Sequence, residues 1–270
     1  MSGKKHTTSY QAVRCEKGVC NKDSLELIGE EPLMLRIEDK PYSVVMRTPG
    51  EEIFHAAGTC LGEGIVDSAD DFDRICWDAN IDSNIVDIWL TREHKKNIPK
   101  ILKRKSYISQ TSCGICGKGM IEDLQQVLVP AANGFEINIA EVFDCTDKLS
   151  KKQEFYPITR GSHAALLFDK NLDPLSFAED VGRHNALDKA IGKALMENKL
   201  SKARLLVVPS RISYELVQKA ARAHIPMMIS KSRPTAMAVQ MGKSLNMTLA
   251  CAFGSKKLLI LSCEHRIQNK

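Results

Sequence analysis

The chain has 270 residues, 43% of them hydrophobic and 26% charged, and a net charge of +5, which suits a globular protein with a buried core in one or two domains. Its longest apolar runs have the length of strands and fall well short of the ~20 residues of a membrane-spanning helix. The polar, basic start over residues 1–11 lacks the apolar core of a secretion signal, so we expect a cytoplasmic protein that does not enter a membrane.

The chain begins with a polar segment, residues 1–23, which we expect to be a flexible N-terminus. A small α+β domain is predicted next, over residues 24–110. It opens with two alternating strands, Glu31–Ile37 and Tyr42–Met46, which form a hairpin across the polar turn between them. Two further predicted elements are a helix with helically spaced apolar residues and an apolar strand, over Glu51–Leu61 and Ile85–Leu90.

A basic segment follows over residues 95–105, which contains six lysines and arginines. It is open whether this segment is a solvated face, a docking surface for an acidic partner or an attractive field for a phosphate-bearing ligand. Nucleic acid is not an expected partner, because the net charge is modest and no aromatic residues interleave with the basic ones to stack on bases.

Two cysteines, Cys113 and Cys116, lie in the run Thr111–Gly119 among glycines and small residues that leave both sulfur atoms little cover. Lys118 favours the thiolate, the form that attacks sulfur or binds metal. A reactive thiol on an exposed loop and half of a structural zinc site are both compatible with this spacing, but no second ligand pair at metal spacing follows. The nine cysteines are odd in number and irregularly spaced, so we expect them to be reduced.

The second domain, predicted over residues 111–270, alternates strands with helices, and the Cys-x-x-Cys loop lies at its start. Short apolar runs separated by amphipathic segments are typical of an α/β domain with a parallel or mixed sheet. The predicted strands are Ala164–Phe168, Leu205–Val208, Pro226–Ile229, Thr248–Phe253 and Leu258–Leu261. The predicted helices are Met120–Leu128, Ala186–Met196, Tyr214–Ala223 and Thr235–Leu245.

Two loops that leave predicted strands carry hydroxyls and cations, one around Arg211 and one around Ser232. Ligands of such sheets usually bind at strand ends, and serine with arginine or lysine suits phosphate oxygens. A plainer interpretation is that Ser210, Ser213 and Ser232 only cap helices. Two such loops in one domain favour an anionic ligand.

The densest polar cluster is Glu179–Lys189. Its first seven residues include two acids, followed by Arg183, His184 and Asn185. A helix cap needs only one of them, such as Asp180. We therefore interpret the cluster as a network that braces a site or binds a ligand. Alone, His184 is more typical of structural hydrogen bonding than of a catalytic base.

This cluster also carries a family resemblance. Glu179–Lys189 is similar to the signature of the formate dehydrogenase accessory sulfurtransferase family, FdhD. Other segments agree with the family in order and approximate spacing, and the resemblance extends from about Glu30 to Leu261. These segments are Met46–Gly50, Ser112–Gly117, Gly161–Ala165, Ser213–Ala220 and Ala236–Val239.

The resemblance implies a sulfurtransferase that takes sulfane sulfur from a cysteine desulfurase as a persulfide. It would deliver the sulfur to the molybdenum cofactor of formate dehydrogenase, bis-molybdopterin guanine dinucleotide, bound as a substrate. By position, Cys113 resembles the family's persulfide-bearing cysteine, and Cys116 would assist as a second carrier or by resolving the persulfide. The family also implies a homodimer, and no permanently bound metal is expected.

The family's second domain is similar to the cytidine deaminase fold. We therefore expect an α/β protein in which a three-layer domain of that type follows the smaller α+β domain. The chain lacks the deaminase's zinc site, because no glutamate follows His163 at the required spacing and no later Cys-x-x-Cys exists. The resemblance therefore concerns the fold and not deamination.

The family's cofactor-contacting stretch is usually glycine, phenylalanine, any residue and arginine. It corresponds here to residues 251–254, where the arginine is absent, although two lysines follow closely. The cofactor-binding residues implied by the resemblance and by the strand-end loops are Ala252, Phe253, Gly254, Ser255, Lys256, Lys257, Arg211, Ser232, Arg183 and His184.

Three functions remain open at this point. The chain is a sulfur carrier, a chaperone that binds the guanine-containing cofactor of formate dehydrogenase without sulfur chemistry, or a thiol redox or structural zinc protein. The resemblance favours the first, with a cysteine desulfurase and formate dehydrogenase as partners.

Overall fold

The computed structural model describes residues 6–96, 128–254 and 257–269. Their strands form a two-stranded hairpin, a four-stranded sheet, a six-stranded sheet and a short two-stranded pair. Helices alternate with these strands, which confirms the predicted mixed α/β class. No helix in these three stretches is long and apolar enough to cross a membrane.

The chain starts with a β-hairpin where we expected a flexible segment. Strand β1 (Thr7–Glu16) pairs antiparallel with β2 (Val19–Ile28), and Cys15 forms a disulfide with Cys20. The Lys17–Gly18 turn has φ angles of 51° and 83°, the left-handed pair of a type I′ turn, which is one of the turns that two-residue hairpins favour. The predictions of a flexible start and of reduced cysteines are therefore wrong over this hairpin, whose many polar residues hide the usual apolar alternation.

The four-stranded sheet contains the strands predicted for the N-terminal half. It consists of β3 (Glu31–Ile37), β4 (Lys40–Arg47), β5 (Phe72–Cys76) and β6 (Ile85–Leu90). The order is β4-β3-β6-β5, and only β3 and β6 are parallel. Helix α1 (Glu52–Gly62) agrees with the predicted helix, whereas β5 has no predicted counterpart because it is short and half polar.

The six-stranded sheet forms the centre of the second half. Its strands are β8 (His163–Phe168), β9 (Pro174–Asp180), β10 (Leu205–Val208), β11 (Met227–Ser230), β12 (Thr248–Phe253) and β13 (Lys257–Ser262). Their order is β13-β12-β11-β10-β8-β9, in which β10, β11 and β12 are parallel. Strand β8 is antiparallel to both β10 and β9, so β9 runs in the same direction as β10. A cytidine-deaminase-like arrangement stays a prediction.

The remaining elements are mostly helices. They are α2 (Ala79–Asp82), α3 (Arg92–Lys95), α4 (Ile139–Lys152), α5 (Tyr156–Thr159), α6 (Arg183–Met196), α7 (Tyr214–Arg222) and α8 (Ala236–Ser244), with β7 (Ile137–Asn138) paired to β14 (Ile267–Gln268). The strands and helices predicted between residues 164 and 261 are confirmed to within three residues at their ends. Helix α4 lacks a predicted counterpart, although its Asn138 and Glu141 capping box was readable. Apart from Leu128, the predicted helix Met120–Leu128 lies outside the described residues.

Helices cover both faces of the six-stranded sheet. On one face, Val142 and Leu149 of α4 pack against Leu166 and Val207 of the sheet. On the other face, α6, α7 and α8 pack in one buried cluster that also includes residues of the four-stranded sheet, such as Leu33. The two sheets therefore share a core. The predicted domain boundary at residues 110 and 111 lies outside the described ranges.

The shared core depends on a close approach of α1 and α6. A Cβ atom on Gly58 would lie 1.8 Å from the carbonyl oxygen of Asp188, and one on Gly192 would lie 1.8 Å from that of Phe54. Real atoms do not approach so closely, so glycine is required at both positions. At the start of α6, Asn185 Nδ2 donates to the carbonyl oxygen of Met46 near the end of β4 at 2.7 Å.

We predict that His55 makes the protein less stable in mild acid. His55 on α1 is 1% exposed, and burial, with the positive charges of Lys189, Lys219 and Arg47, lowers its pKa well below 6.5. At mildly acidic pH, His55 therefore binds a proton in the unfolded chain but stays neutral in the folded chain. Below about pH 6.5, the free energy of unfolding should decrease as the pH is lowered, by up to ~1.4 kcal/mol per pH unit for this proton.

Urea unfolding of the wild type and of His55→Gln over a pH series checks this prediction. The free energy of unfolding of His55→Gln should depend less steeply on pH than that of the wild type. His265→Gln, a change at an exposed histidine, should leave the pH dependence unchanged. Equal slopes for wild type and His55→Gln would contradict it.

Candidate functional site

The candidate site lies where β9, β10, β11 and β12 end, at an edge we call the carboxyl edge. Because these strands run in one direction, the loops that follow them meet there. Arg183 and His184 follow β9, Arg211 follows β10, and Ser232 follows β11. The structure thus brings together four residues that are spread over about 50 positions of the sequence.

His184 at the start of α6 is held by residues of α7. Its Nε2 lies 2.8 Å from Glu215 Oε2 and 3.5 Å from Ser213 Oγ. This hydrogen bond from His184 holds the pKa of Glu215 below its ordinary value. Both partners meet the same ring nitrogen, so the three residues are not a serine–histidine–acid relay, which needs one partner on each nitrogen. The contact instead fixes the ring at the carboxyl edge.

Serine side chains join the loops after β10 and β11. Ser230 Oγ donates to the carbonyl of Ser210 at 2.6 Å and accepts from the Ser232 amide at 2.8 Å. Ser213 is the N-cap residue of α7, but its side chain makes no capping bond, and α8 is capped by Thr235. Simple helix capping therefore does not explain these serines.

Asp180 fixes the turn that leads from β9 to Arg183. Its carboxylate is fully buried and lies 2.6 Å from Lys189 Nζ. It also accepts from the Thr48 amide at 3.1 Å, the Gly182 amide at 2.8 Å and Asn185 Nδ2 at 2.9 Å. Two segments that resemble family motifs, residues 46–50 and 179–189, are therefore one hydrogen-bonded unit.

Glu179 fixes a second loop beside this unit. Its carboxylate accepts from the backbone amides of Glu154, Phe155 and Tyr156 at 2.7, 3.0 and 2.7 Å, and from Ser162 Oγ at 2.5 Å. A carboxylate at the start of the short helix α5 satisfies amides that have no partner within the helix. Glu179 and Asp180, the two acids at the start of the predicted polar cluster, are thus structural.

His163, at the start of β8, also lies at this edge, although it is not among the predicted site residues. Burial lowers its pKa below 6.5, and the positive charge of Arg183 lowers it further, so the ring is neutral near physiological pH. The signal available in the sequence was its place in the Gly161–Ala165 segment, which resembles a family motif. The edge thus combines a neutral imidazole with cations.

The predicted cofactor-binding residues differ in how far they are exposed to solvent. Ala252 is 2% exposed and its side chain packs in the core, whereas Phe253 is half-buried and Gly254 and Lys257 are exposed. Arg211 is exposed as well, and Ser232 and Arg183 are half-buried. Four predicted site residues lie outside the described part of the chain, namely Cys113, Cys116, Ser255 and Lys256.

The buried free cysteines of the described residues are poor nucleophiles. Cys60, Cys145 and Cys251 are buried. Burial raises the pKa of Cys145 to about 12 and that of Cys251 to about 11, so both are thiols rather than thiolates near physiological pH. Cys251, although close to the carboxyl edge, does not resemble a sulfur-carrying residue.

One group of side chains in the described ranges could hold a metal ion, namely Asp67, Asp71 and His94. Their polar atoms already have partners. Asp71 accepts from the amides of Asp67 and Ser68 at 2.8 Å each, and Asp67 pairs with Arg222 at 2.7 Å. These contacts explain the cluster as the cap of a 3₁₀ turn and an ion pair.

The comparison with protein families decides what kind of protein this is. The model of the FdhD/NarQ family matches residues 28–268. The chain belongs to this family. Curated relatives named sulfur carrier protein FdhD include those of Streptomyces avermitilis, 31% identical over 97% of this chain and 95% of the relative, and Saccharolobus solfataricus, 30% identical over 96% and 97%. The relative from Nocardia farcinica is 34% identical over 90% of this chain and 88% of its own.

A solved structure shows the same fold. It is the crystal structure of a candidate formate dehydrogenase accessory protein from Desulfotalea psychrophila, with a TM-score of 0.78. The match covers 98% of this chain and 100% of that chain at 20% sequence identity. At this identity the likeness concerns the fold alone.

We predict that Asp180→Asn destabilises the protein strongly. The change leaves the buried Lys189 without its counter-charge, which typically costs about 3–5 kcal/mol. Urea unfolding measures the loss, with the exposed Asp144→Asn as the matched control, which should stay within about 0.5 kcal/mol of wild type. A loss below about 1 kcal/mol in Asp180→Asn would show that the pair is not required.

Proposed function

We propose that this protein is a sulfur carrier that serves formate dehydrogenase. It accepts sulfane sulfur from a cysteine desulfurase on Cys113 and delivers it to the molybdenum cofactor, and it acts in the cytoplasm as a homodimer. The observation that carries the proposal is membership of the FdhD/NarQ family, with relatives named sulfur carrier protein FdhD that match over nearly the whole chain.

The chemistry requires an accessible thiolate. The thiolate of Cys113 attacks the outer sulfur of the desulfurase persulfide, the sulfur–sulfur bond breaks, and the desulfurase cysteine leaves as a thiolate. The sulfane sulfur then belongs to Cys113. Attack by Cys116 on the inner sulfur of that persulfide would release the outer one as hydrosulfide and leave a Cys113–Cys116 disulfide. The raised pKa values of Cys145 and Cys251 support assignment of the transferred sulfur to the Cys-x-x-Cys segment.

The carboxyl edge suits the phosphate groups of the dinucleotide part of the cofactor. Helices α6, α7 and α8 begin there, and the N-terminus of a helix attracts anions. Arg183 and Arg211 add guanidinium groups that can bind phosphate oxygens in pairs. Arg211 and Lys257 are exposed at this edge, where they can replace the charge of the family's usual arginine. Glu179 and Asp180, both buried and hydrogen-bonded, hold the loops that present these groups.

The sulfur-carrier part of the proposal predicts a mass change on one residue. Wild-type protein incubated with a cysteine desulfurase and cysteine should gain about 32 Da, the mass of one sulfur atom, on the peptide that contains Cys113. Cys113→Ala should not gain this mass, because the attacking thiolate is gone. Intact-mass and peptide-mass measurements under non-reducing conditions follow the adduct.

The half-buried Cys76→Ala is the matched control and should load sulfur like the wild type. Sulfur loading on Cys113→Ala equal to that of the wild type would overturn the assignment of the cargo to Cys113.

The cofactor-binding part predicts a loss of nucleotide affinity at the carboxyl edge. Guanosine diphosphate shares the guanine and pyrophosphate of the cofactor and serves as the probe. Arg211→Ala should weaken its binding roughly tenfold to a hundredfold, because a charge-assisted hydrogen bond typically contributes ~1.5–3 kcal/mol. Titration calorimetry measures the affinity, and Arg92→Ala, an exposed arginine on α3, is the control.

Equal weakening in both variants would show that the effect is net charge and not a site. The same edge also favours the second candidate, a cofactor-binding chaperone without sulfur chemistry. Nucleotide binding by the wild type together with no sulfur adduct on any cysteine would select that function instead.

A further inference from the structure

The hairpin formed by β1 and β2 carries a pair of cysteines apart from the carboxyl edge. Cys15 and Cys20 are directly opposite each other in the register, with Cα atoms 4.0 Å apart, and they form a disulfide. Both residues are exposed. They lie one pair before the Lys17–Gly18 turn, at the tip of the hairpin.

The charges near the disulfide are unevenly distributed. Side chains alternate between the two faces of a strand, so the face of Cys15 and Cys20 also carries the neighbouring pair Val13 and Lys22. The acids Glu16 and Asp23 fall on the opposite face. Lys22 is therefore the charged neighbour on the disulfide face, and a nearby cation favours the thiolate form of a cysteine.

Exposure separates these two residues from the other cysteines of the described ranges. Cys60, Cys145 and Cys251 are buried, and Cys76 and Cys263 are half-buried. Thiol–disulfide exchange needs direct access of one sulfur to another, along the line of the bond that breaks. Within those ranges, the hairpin tip offers that access most fully.

We propose that Cys15 and Cys20 are a reversible dithiol–disulfide couple that exchanges with dithiol proteins of the Cys-x-x-Cys type. A thiolate of the partner attacks one sulfur of the disulfide, and the other cysteine of the hairpin leaves as a thiolate. The partner's second thiolate then resolves the mixed disulfide. Two electrons and two protons pass from the partner to the hairpin, and the partner ends as a disulfide.

The hairpin can change state without disturbing the rest of the fold. Its base is held by the stacking of His6 on Phe155, at 5.0 Å between ring centres, and by Ile28 packed beside Gly161. Its tip is shaped by the turn, which needs no disulfide. Tyr10 and Leu25 along the strands are exposed, so little packing supports the tip, and an isolated two-stranded hairpin is marginally stable. Reduction therefore loosens the tip and leaves the carboxyl edge unchanged.

The test is a redox titration of the full-length protein. The protein is equilibrated under anaerobic conditions in mixtures of reduced and oxidised dithiothreitol, and its free thiols are then blocked by alkylation. Mass spectrometry gives the mass of the peptide that contains residues 15–20. One ratio of reduced to oxidised dithiothreitol should give equal amounts of the doubly alkylated and the disulfide form. The same ratio should be found whether the protein starts reduced or oxidised. Thioredoxin should accelerate the conversion at least tenfold, and the buried Cys145 should stay unlabelled until the protein is denatured.

Two variants complete the test. Cys15→Ser should leave Cys20 alkylated at every ratio, and Cys76→Ser should behave as the wild type. Free Cys15 and Cys20 at every ratio in the wild type, a bond from either to another cysteine, or a disulfide that resists dithiothreitol until denaturation would each overturn the proposal. Sulfur loading is measured on the peptide that contains Cys113, so its failure and the failure of this proposal are read from different peptides.

Discussion

The structure depends on the buried ion pair of Asp180 and Lys189. The two charged groups lie 2.6 Å apart, and their side chains are 0% and 2% exposed. Removal of two charges from water is expensive, and only close pairing with further hydrogen bonds offsets it. Thr48 supplies such bonds, because its amide donates to Asp180 and its carbonyl accepts from Lys189 at 2.8 Å. The end of β4, the end of β9 and the start of α6 must therefore come together.

This junction determines where the functional groups lie. Asp180 holds the turn before Arg183, and the close glycine contacts hold α6 against α1. Once α6 is fixed, His184 reaches Glu215 of α7, and the parallel strands bring the loop of Arg211 to the same edge. Glu179 and Asp180 are used inside the fold, while Arg183 and Arg211 lie at its rim. The proposed binding of phosphate groups depends on these cations.

The cysteines have different roles according to their surroundings. Burial keeps Cys145 and Cys251 protonated, and their sulfurs belong to the packed interior. Cys15 and Cys20 form a cross-strand pair at an exposed tip. Sulfur transfer in a cell needs thiols that are reachable, and it also needs the remaining thiols to be unreactive. For Cys145 and Cys251, burial provides the second condition, because it disfavours the thiolate.

The sequence by itself determined the elements whose signal is local. Strands β10 and β12 agree with prediction because a strand covered on both faces is a continuous apolar run, and the family signature at residues 179–189 was readable in one place. Hairpin β1–β2 escaped prediction because its strands are mainly polar and exposed. Only the tertiary structure decided that Thr48 meets Asp180 across 132 positions and that His184 meets Glu215. Secondary structure follows from the local spacing of apolar residues along the chain. Contacts between residues far apart in the sequence depend on how the elements pack, and on the free-energy cost of burying a charged group without a partner.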